Sequence, residues 1–518
     1  MTEQAAPVDG AEVEPARAGA REWCGLALLA VPLLVLAIDV SVLYLAAPAL
    51  TADLAPSATQ QLWILDIYGF LIAGFLITMG SLGDRIGRRR LLLFGGGAFA
   101  AASALAAFAP TAELLIVARA VLGVAGATLM PSTLSLISTM FPVPKERSFA
   151  IAIWMTTFSA GVAVGPVVGG LLLEHFWWGS VFLLAIPAML LLIVLGRVLL
   201  PEHRPSGPRE PVDLLSVGLS LMTMLPLVYG LKETVAHGPA VLSTLSAAAG
   251  AVFGTLFVLR QRRLTDPLLD VRLFTRRAFQ AAVLLMLLGT IAVNGLFYLV
   301  PQYLQLVRGS SPLQAGLWML PIAAASVFAS LAGARLANRF GKRSVLAVAA
   351  LIALLGCVAI GFTGPETGLG ALIALVSLTV VGMAPAGVLG TDLVVAAAPP
   401  DGAGAAAAVS ETAGELGVGL GVATAGTLVA AVYGASLGSD LPAGLPARAA
   451  DEAAEGVAAA NSVAATLPPE SGERLASAAR AAFTDAFAMT GLFSGAVMAG
   501  IIVLALIAIP RYGAESTV

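Results

Sequence analysis

The chain carries little charge: Asp, Glu, Lys and Arg together make up 11% of its 518 residues. A soluble globule of this size needs about twice that share to coat its surface, so a soluble fold is excluded. Cysteine is nearly absent. Cys24 falls at the start of one apolar run and Cys357 inside another, which leaves neither a disulfide framework nor a thiolate metal site. Histidine is as scarce. His175, His203 and His237 fall in loops or at the ends of apolar runs, and no serine, cysteine or metal-ligand constellation points into an apolar core. That argues against an intramembrane enzyme. The start of the chain lacks the charge pattern of a secretory leader, since residues 1 to 22 hold Glu3, Asp9, Glu12, Glu14 and Glu22 against Arg17 and Arg21. Residues 1–25 are therefore expected to remain as a disordered cytoplasmic tail. Lysine is rare too, three of the 28 basic residues. With abundant Ala and Gly this suggests GC-rich coding and a bacterial inner membrane.

What the chain has in abundance is apolar sequence, 58% of all residues. Runs long enough to cross ~30 Å of hydrocarbon recur along nearly its whole length, and they are too long for the alternating ~10-residue segments of an outer-membrane barrel. They predict an all-α membrane protein with fourteen spans, at about 26–49, 61–80, 91–109, 113–136, 148–173, 179–200, 213–231, 241–260, 278–305, 313–336, 344–363, 369–396, 403–434 and 483–509. An even count puts both termini on one side. With the termini inside, the inner segments hold 22 of the 28 Lys and Arg and the outer loops 5, a distribution that places both ends in the cytoplasm.

An internal repeat organises these spans. Ser81-Leu82-Gly83-Asp84-Arg85-Ile86-Gly87-Arg88-Arg89 follows the second span, and Arg335-Leu336-Ala337-Asn338-Arg339-Phe340-Gly341-Lys342-Arg343 follows the tenth, 254 residues later. Any inner loop carries Arg and Gly, but here Leu, Arg, Gly and two further basic positions fall in register, which marks equivalent points in two related halves. The copies are eight spans apart, so two helices are inserted between six-helix halves. The seventh and eighth spans are the candidates, flanked by the Pro-rich stretch Pro201 to Pro211 and the Arg-rich stretch 260–277. The expected division is a bundle at 26–200, the insertion at 201–277, a bundle at 278–509 and a cytoplasmic tail at 510–518. An outer insert at 435–482, rich in Ala and Glu, is expected to form one or two short helices.

The loop Gly80-Ser81-Leu82-Gly83-Asp84-Arg85-Ile86-Gly87-Arg88-Arg89-Arg90 resembles the signature loop of the major facilitator superfamily, and the fourteen-span layout resembles its drug:proton antiporter branch, which includes quaternary-ammonium exporters. The resemblance covers the chain from residue 25 on, the outer insert excepted. It implies the major facilitator fold, two six-helix bundles plus two inserted helices. In that loop Gly provides a tight turn, Asp84 can meet a helix N-terminus, and Arg85 and Arg88 can meet acids or lipid phosphate, so that Gly80, Asp84, Arg85, Gly87 and Arg88 would latch the cytoplasmic side. A plain basic loop fixing topology is the bland alternative. In the second copy Asn338 stands where the first has Asp84, which weakens its latch.

In the fifth span Gly161, Gly165 and Gly169 recur at four-residue intervals around Pro166, followed by Gly170. Such a bare face lets another helix come close, and Pro166 frees a carbonyl and permits a kink, which suits a moving interface between halves. Simple packing stripes look similar. The segment matches the superfamily's antiporter motif, and the resemblance implies antiport.

Charged residues inside spans are costly, ~2.5 to 3.5 kcal/mol at mid-bilayer, and so mark paths for ions or substrate. Asp39 lies near the middle of the first span, in Asp39-Val40-Ser41-Val42-Leu43, and Arg119 lies in the fourth; both resemble the branch's acidic first-helix motif and its intramembrane arginine, which the resemblance ties to proton coupling. Burial favours a neutral carboxyl and a nearby guanidinium a charged one, so such a pair can switch with solvation. A static ion pair is the alternative, and Leu122 replaces the Gln often found beside the arginine. Asp66 in the second span is flanked by Trp63 and Tyr68, whose aromatic faces suit an organic cation, though Trp63 also suits an outer interfacial belt. Glu411 and Glu415 in the thirteenth span stack on one face, where like charges repel unless one is protonated or a cation is bound. Snorkelling is the alternative for Glu411, and Asp392 reads as a solvated span end. The carboxylate and aromatic face make Asp66 and Tyr68 candidates for substrate binding, and similar acids in the thirteenth span of the quaternary-ammonium exporters imply the same role for Glu411 and Glu415.

The reading that results is a proton-coupled multidrug efflux antiporter for amphipathic cationic compounds, working by alternating access in the bacterial inner membrane. Its expected partners are small cationic drugs, protons and the lipid bilayer, with no nucleic acid, no organic cofactor, no metal and a monomeric state. A narrow exporter of a self-made antibiotic fits the same residues. A sensor or scaffold on this fold would tolerate loss of the buried acids, which the chain keeps.

Overall fold

The structure is a computed structural model and describes residues 17–202, 213–237, 240–264, 271–396, 403–439, 441 and 445–508. Among these residues there are seventeen α-helices and no strand. The first set comprises α1 (Ala20–Leu54), α2 (Ala58–Ile86), α3 (Arg88–Ala107), α4 (Ala112–Met140), α5 (Pro144–His175), α6 (Ser180–Leu183) and α7 (Ala185–Leu199). Then come α8 (Leu214–His237) and α9 (Val241–Gln261). The second set comprises α10 (Arg277–Gln302), α11 (Pro312–Phe340), α12 (Lys342–Ile360), α13 (Leu369–Ala396), α14 (Ala403–Ser439) and α17 (Pro469–Ala508), with α15 (Ala447–Ala454) and α16 (Val457–Thr466) before the last.

Each of the fourteen expected spans coincides with helix. Twelve are long and apolar enough to cross a membrane, α6 and α7 counting as one. The helices at the other two, α2 and α8, have shorter apolar stretches, Gln60–Leu76 and Leu215–Leu227. The sixth span is interrupted at Leu184, just before Pro187, whose ring and missing N–H disrupt the hydrogen-bond ladder. The outer insert forms two short helices, and α17 begins there at Pro469, well before the apolar stretch expected from residue 483. The Tyr433 hydroxyl at the end of α14 donates to the Ala453 carbonyl at 3.0 Å and ties the insert down.

The 254-residue repeat extends beyond the signature loop. Ser57 caps α2 and exchanges hydrogen bonds with Gln60, while Ser311 caps α11 and does the same with Gln314. Ala55 and Gly309 hold left-handed backbone before these caps, and Gly87 and Gly341 hold positive φ of 101° and 82° after each 29-residue helix. Packing repeats as well. In the first set α1 lies on α5 and α7, α4 on α2 and α3, and α3 on α7; in the second, α10 lies on α14 and α17, α13 on α11 and α12, and α12 on α17. The sets meet where α5 lies on α11 and α2 on α14. Helix α8 packs on α9 and against both α2 and α14. At the base of that pair Arg260 donates twice to Asp213 at 2.7 Å.

The signature loop is pinned to the end of α7. Arg89 Nε meets Glu202 at 3.1 Å, and its Nη1 donates to the carbonyls of Arg197 and Leu200, which a helix C-terminus leaves unpaired. The Glu202 carboxylate occupies the space that a side chain at Gly87 would need, whereas a Cβ at Gly80 meets nothing within 4 Å. Gly87→Ala should therefore destabilise the protein by about 1–3 kcal/mol. Gly80→Ala should stabilise it by about 0.5–1 kcal/mol through helix propensity. Unfolding midpoints of the purified protein in detergent check both signs.

Candidate functional site

The site forms where α1, α2 and α4 meet. Helix α4 approaches α2 closely because Gly123, one turn after Arg119, has no side chain: a Cβ there would lie 2.5 Å from the Tyr68 carbonyl oxygen and 2.9 Å from Leu71 Cβ. This approach puts the Arg119 guanidinium against α2. Its Nε donates to the Ile64 carbonyl at 3.1 Å, and its Nη1 donates to Asp39 Oδ2 on α1 at 2.7 Å. The Tyr68 ring covers the guanidinium at 4.4 Å, and Phe182 lies at 5.9 Å. Arg119 is 1% exposed, so its charge is met almost wholly by protein groups. An unpaired ion in this position would cost several kcal/mol; the carboxylate, the carbonyl and the ring offset it.

Beside this pair is a cavity with about 700 Å3 of free space, part of it open to solvent. Asp66, Tyr68 and Arg119 line it together with Val40, Met130 and Phe158 from the first set, and Val418 and Gly419 of α14 close it from the second. Apart from Tyr44 the remaining walls are apolar. Asp66 is buried, 4% exposed. With both acids ionised, Asp39, Asp66 and Arg119 sum to one negative charge.

Toward the end of the bundle where α1 turns into α2, the two sets touch through polar and aromatic groups. Gln61 Nε2 donates to the Tyr298 hydroxyl at 3.4 Å, Tyr44 meets Tyr298 edge-on at 6.2 Å, and Gln305 Nε2 donates to the Leu45 carbonyl at 3.0 Å. The Leu313 N–H donates to Glu174 at 3.3 Å. Gln305 belongs to a π-helical turn, Tyr303–Val307, directly after α10 and Pro301. Along α1 and α2 these contacts stand between the acids and the end of the bundle where α1 turns into α2.

The structure thus brings together Asp39, Arg119, Asp66 and Tyr68. One face of Tyr68, expected to receive a foreign cation, is covered by the protein's own Arg119. Trp63 is not part of the cavity wall: its ring stacks on Tyr229 of α8 at 6.2 Å. Glu411 and Glu415 lie on α14, two turns and one turn before Val418 and Gly419 respectively, but their side chains fall outside the described residues. The same holds for the side chains of Asp84, Arg85, Asn338 and Asp392. The Arg88 side chain lies over Gly83.

The glycine stripe of α5 divides its work. Gly161, Gly165 and Gly169 face α1 of their own set, at Ala37, Ser41 and Val42, so the bare face expected between the halves serves packing within one half. The neighbouring face makes the contact between sets: Gly170 lies against Pro312 and Leu313, and Gly316 of α11 lies against the Pro166 carbonyl. The hundred-degree step of a helix explains the split, since residues 166 and 170 project beside the stripe. Glu202, Gln61, Tyr298 and Gln305 were not anticipated. An acid just after the sixth span, facing a run of arginines, was the available signal for Glu202. Among the described residues no three His, Cys, Asp or Glu side chains group to hold a metal ion.

The sequence profile of the Major Facilitator Superfamily matches residues 29–422. The chain is 46% identical to the multidrug efflux pump LfrA of Mycolicibacterium smegmatis, covering 95% of this chain and 96% of that protein. It is 37% identical to the methyl viologen resistance protein SmvA of Salmonella typhimurium over 89% and 93% of the two chains, and 33% identical to the tetracenomycin C resistance and export protein of Streptomyces glaucescens over 80% and 77%. Among solved structures, an inward-facing, unoccupied bacterial homologue of the human lysosomal transporter Spinster superposes with a TM-score of 0.67 at 16% identity, over 96% of this chain and 99% of that one.

Removing one partner of the buried pair should cost far more than removing both. Asp39→Asn is expected to lower stability by about 3–5 kcal/mol, because it leaves the Arg119 guanidinium without a counter-charge. The double variant Asp39→Leu/Arg119→Met should regain most of that loss in the same unfolding measurement.

Proposed function

Because the chain belongs to the major facilitator superfamily, we propose that it is a proton-coupled efflux antiporter that exports amphipathic cationic compounds by alternating access. The observation that carries this reading is the cavity between the two helix sets, whose wall holds Asp66, Tyr68 and the Arg119 that pairs with Asp39. A monovalent cation neutralises the single net negative charge of this group, and so does one proton. The two are then alternative occupants of one electrostatic site, which is the requirement for exchange. The apolar remainder of the wall suits the hydrocarbon part of such cations. The names of LfrA and SmvA support a multidrug or viologen-type substrate, methyl viologen being itself a bis-quaternary cation.

In this account residues 26–200 and 278–509 move as two halves, and α8 and α9 complete a fourteen-span protein. Both termini lie in the cytoplasm of a bacterial inner membrane, on the strength of the Lys and Arg distribution. The outer contacts at Tyr298, Gln305 and Gly316 part when the cavity opens outward. The glycines Gly161, Gly165, Gly169 and Gly170 with Pro166 keep α5 thin enough to pack on α1 and slide on α11. Asp39 and Arg119 couple the proton, and Asp66 receives the cation together with Glu411 and Glu415 on α14. The proton gradient is the energy source, so no organic cofactor, metal or catalytic chemistry is required, and a monomer suffices. Each charge moved across the membrane is worth ~2.3 kcal/mol per 100 mV, which sets how steep an export gradient a given stoichiometry supports.

A second reading has its own support: the relative from Streptomyces glaucescens is a resistance and export protein for one antibiotic, tetracenomycin C. A dedicated exporter would use the same acids with a narrower cavity.

Proteoliposomes that report internal pH test both readings. On addition of ethidium or a bis-quaternary cation, the wild-type protein should exchange protons for cation. Asp39→Asn should abolish the exchange, and Asp66→Asn and Glu411→Gln/Glu415→Gln should weaken apparent cation affinity by about tenfold or more, the worth of a charged contact. Folded wild-type protein that moves no proton with any of these cations would overturn the multidrug reading in favour of the narrow exporter.

A further inference from the structure

A second cavity, which shares no lining residue with the central one, lies on the flank of the second helix set. It is a groove between α11, α12 and α13 with about 1100 Å3 of free space, part of it open. Its walls are Phe328, Leu336, Phe340, Val348, Ile352 and Pro385, with Ser344 as the one polar side chain among the lining residues. The groove exists because small residues take the place of ridges. Gly333 lies against the Pro385 ring, with a Cβ-to-Cβ distance of only 2.7 Å were it an alanine, so α11 and α13 touch there and Ala329, Ala332 and Ala349 leave the space open. Phe328, Phe340 and Val348 are 73%, 55% and 58% exposed, which leaves them facing outward from the bundle.

The groove runs along the last part of α11, from Phe328 to Phe340. At the helical rise this is ~18 Å, close to the ~15 Å of hydrocarbon in one leaflet. Its mouth is basic. Arg335 and Arg339 are exposed and make no ion pair or hydrogen bond among the described residues, and the Arg339 guanidinium lies 5.4 Å from the centroid of the Phe340 ring that lines the groove. Lys342 and Arg343 follow in the next turn, and no acid occurs from Arg335 to Arg343. This is where the two copies of the signature loop part company. The first copy contains Asp84 and ties Arg89 and Arg90 to Glu202, whereas the second has Asn338 in place of the aspartate.

An apolar slot about one leaflet long, with two exposed guanidinium groups flanking its last turns, has the chemistry of a phospholipid site. We propose that the groove between α11, α12 and α13 binds an acyl chain of an anionic phospholipid whose phosphate rests on Arg335 and Arg339. The sign of the rim separates this site from the central cavity: the cavity has a net negative charge and suits cations, while the groove has a positive mouth and repels them. It is a site for a resident lipid and not a second drug subsite.

Native mass spectrometry of the full-length protein in detergent tests the proposal, by titration with phosphatidylglycerol and with phosphatidylcholine of the same acyl chains. The wild-type protein should retain phosphatidylglycerol at least tenfold more tightly. Arg335→Gln/Arg339→Gln should remove that preference, and Val348→Trp, which fills the groove from an exposed position, should weaken retention of both lipids. Arg262→Gln/Arg263→Gln, at the end of α9, should leave the preference intact, and glycerol 3-phosphate without acyl chains should not compete. Equal retention of the two lipids by the wild type would mean annular lipid only and would overturn the proposal. So would a preference that survives in the Arg335/Arg339 variant, one that is lost equally in the Arg262/Arg263 variant, or one that glycerol 3-phosphate abolishes.

Discussion

An arginine with 1% of its surface exposed, in a chain built for lipid, must be satisfied by the protein around it. The three contacts that satisfy Arg119 come from two other helices: the Asp39 carboxylate from α1, and the Ile64 carbonyl and Tyr68 ring from α2. That requirement fixes the spacing of α1, α2 and α4, and Gly123 makes the spacing reachable. The same contacts set the electrostatics of the cavity. With both acids ionised Arg119 cancels one of them, which leaves the site with a single net negative charge.

Around this fixed core the helices are arranged for relative motion. Within each set the pairings repeat, α1 on α5 as α10 on α14, α2 on α4 as α11 on α13. Between the sets the contacts are of another kind. They are single hydrogen bonds such as Gln305 to Leu45, an edge-on tyrosine pair, and bare backbone against backbone at Gly170 and Gly316. Beside them the buried Phe70 ring of α2 seats on the bare backbone of α14 at Gly419, so a side chain from one set fills a gap in the other. The π-helical turn at Tyr303–Val307 places one of these contacts, Gln305, and a turn with that altered register is a natural place for the contact to be made and broken.

Much of this was legible in the sequence, because the membrane enforces it. Span positions follow from hydrophobic length, and the repeat was visible at residues 81–89 and 335–343. A fuller reading would have found Ser57 with Gln60 and Ser311 with Gln314 at the same 254-residue offset, a pair of capping boxes that mark both helix starts. Three of the four residues at the core of the site, Asp39, Asp66 and Arg119, were visible because charge is so conspicuous in an apolar run, and Tyr68 because its ring flanks Asp66. What composition and spacing do not carry is the direction of each helix face. The period of α5 shows that Gly161, Gly165 and Gly169 share a face, but whether α1 or α11 covers it depends on tertiary packing. Likewise Tyr68 could be read as a cation receptor, and only the crossing of α2 and α4 reveals which cation already lies on it. The partnership of Glu202 with Arg89 spans 113 residues, a separation that no local pattern encodes.

The central claim is that one proton and one cation compete for the single net charge of the Asp39, Asp66 and Arg119 group. Proton release on cation binding tests it most directly, measured with a pH indicator in a weakly buffered detergent solution of the purified protein near neutral pH. The account predicts that ethidium or a bis-quaternary cation displaces protons from the wild type in proportion to the cation bound, and that Asp39→Asn, where it still binds cation, releases none. Saturable cation binding to the wild type with no proton released would contradict it.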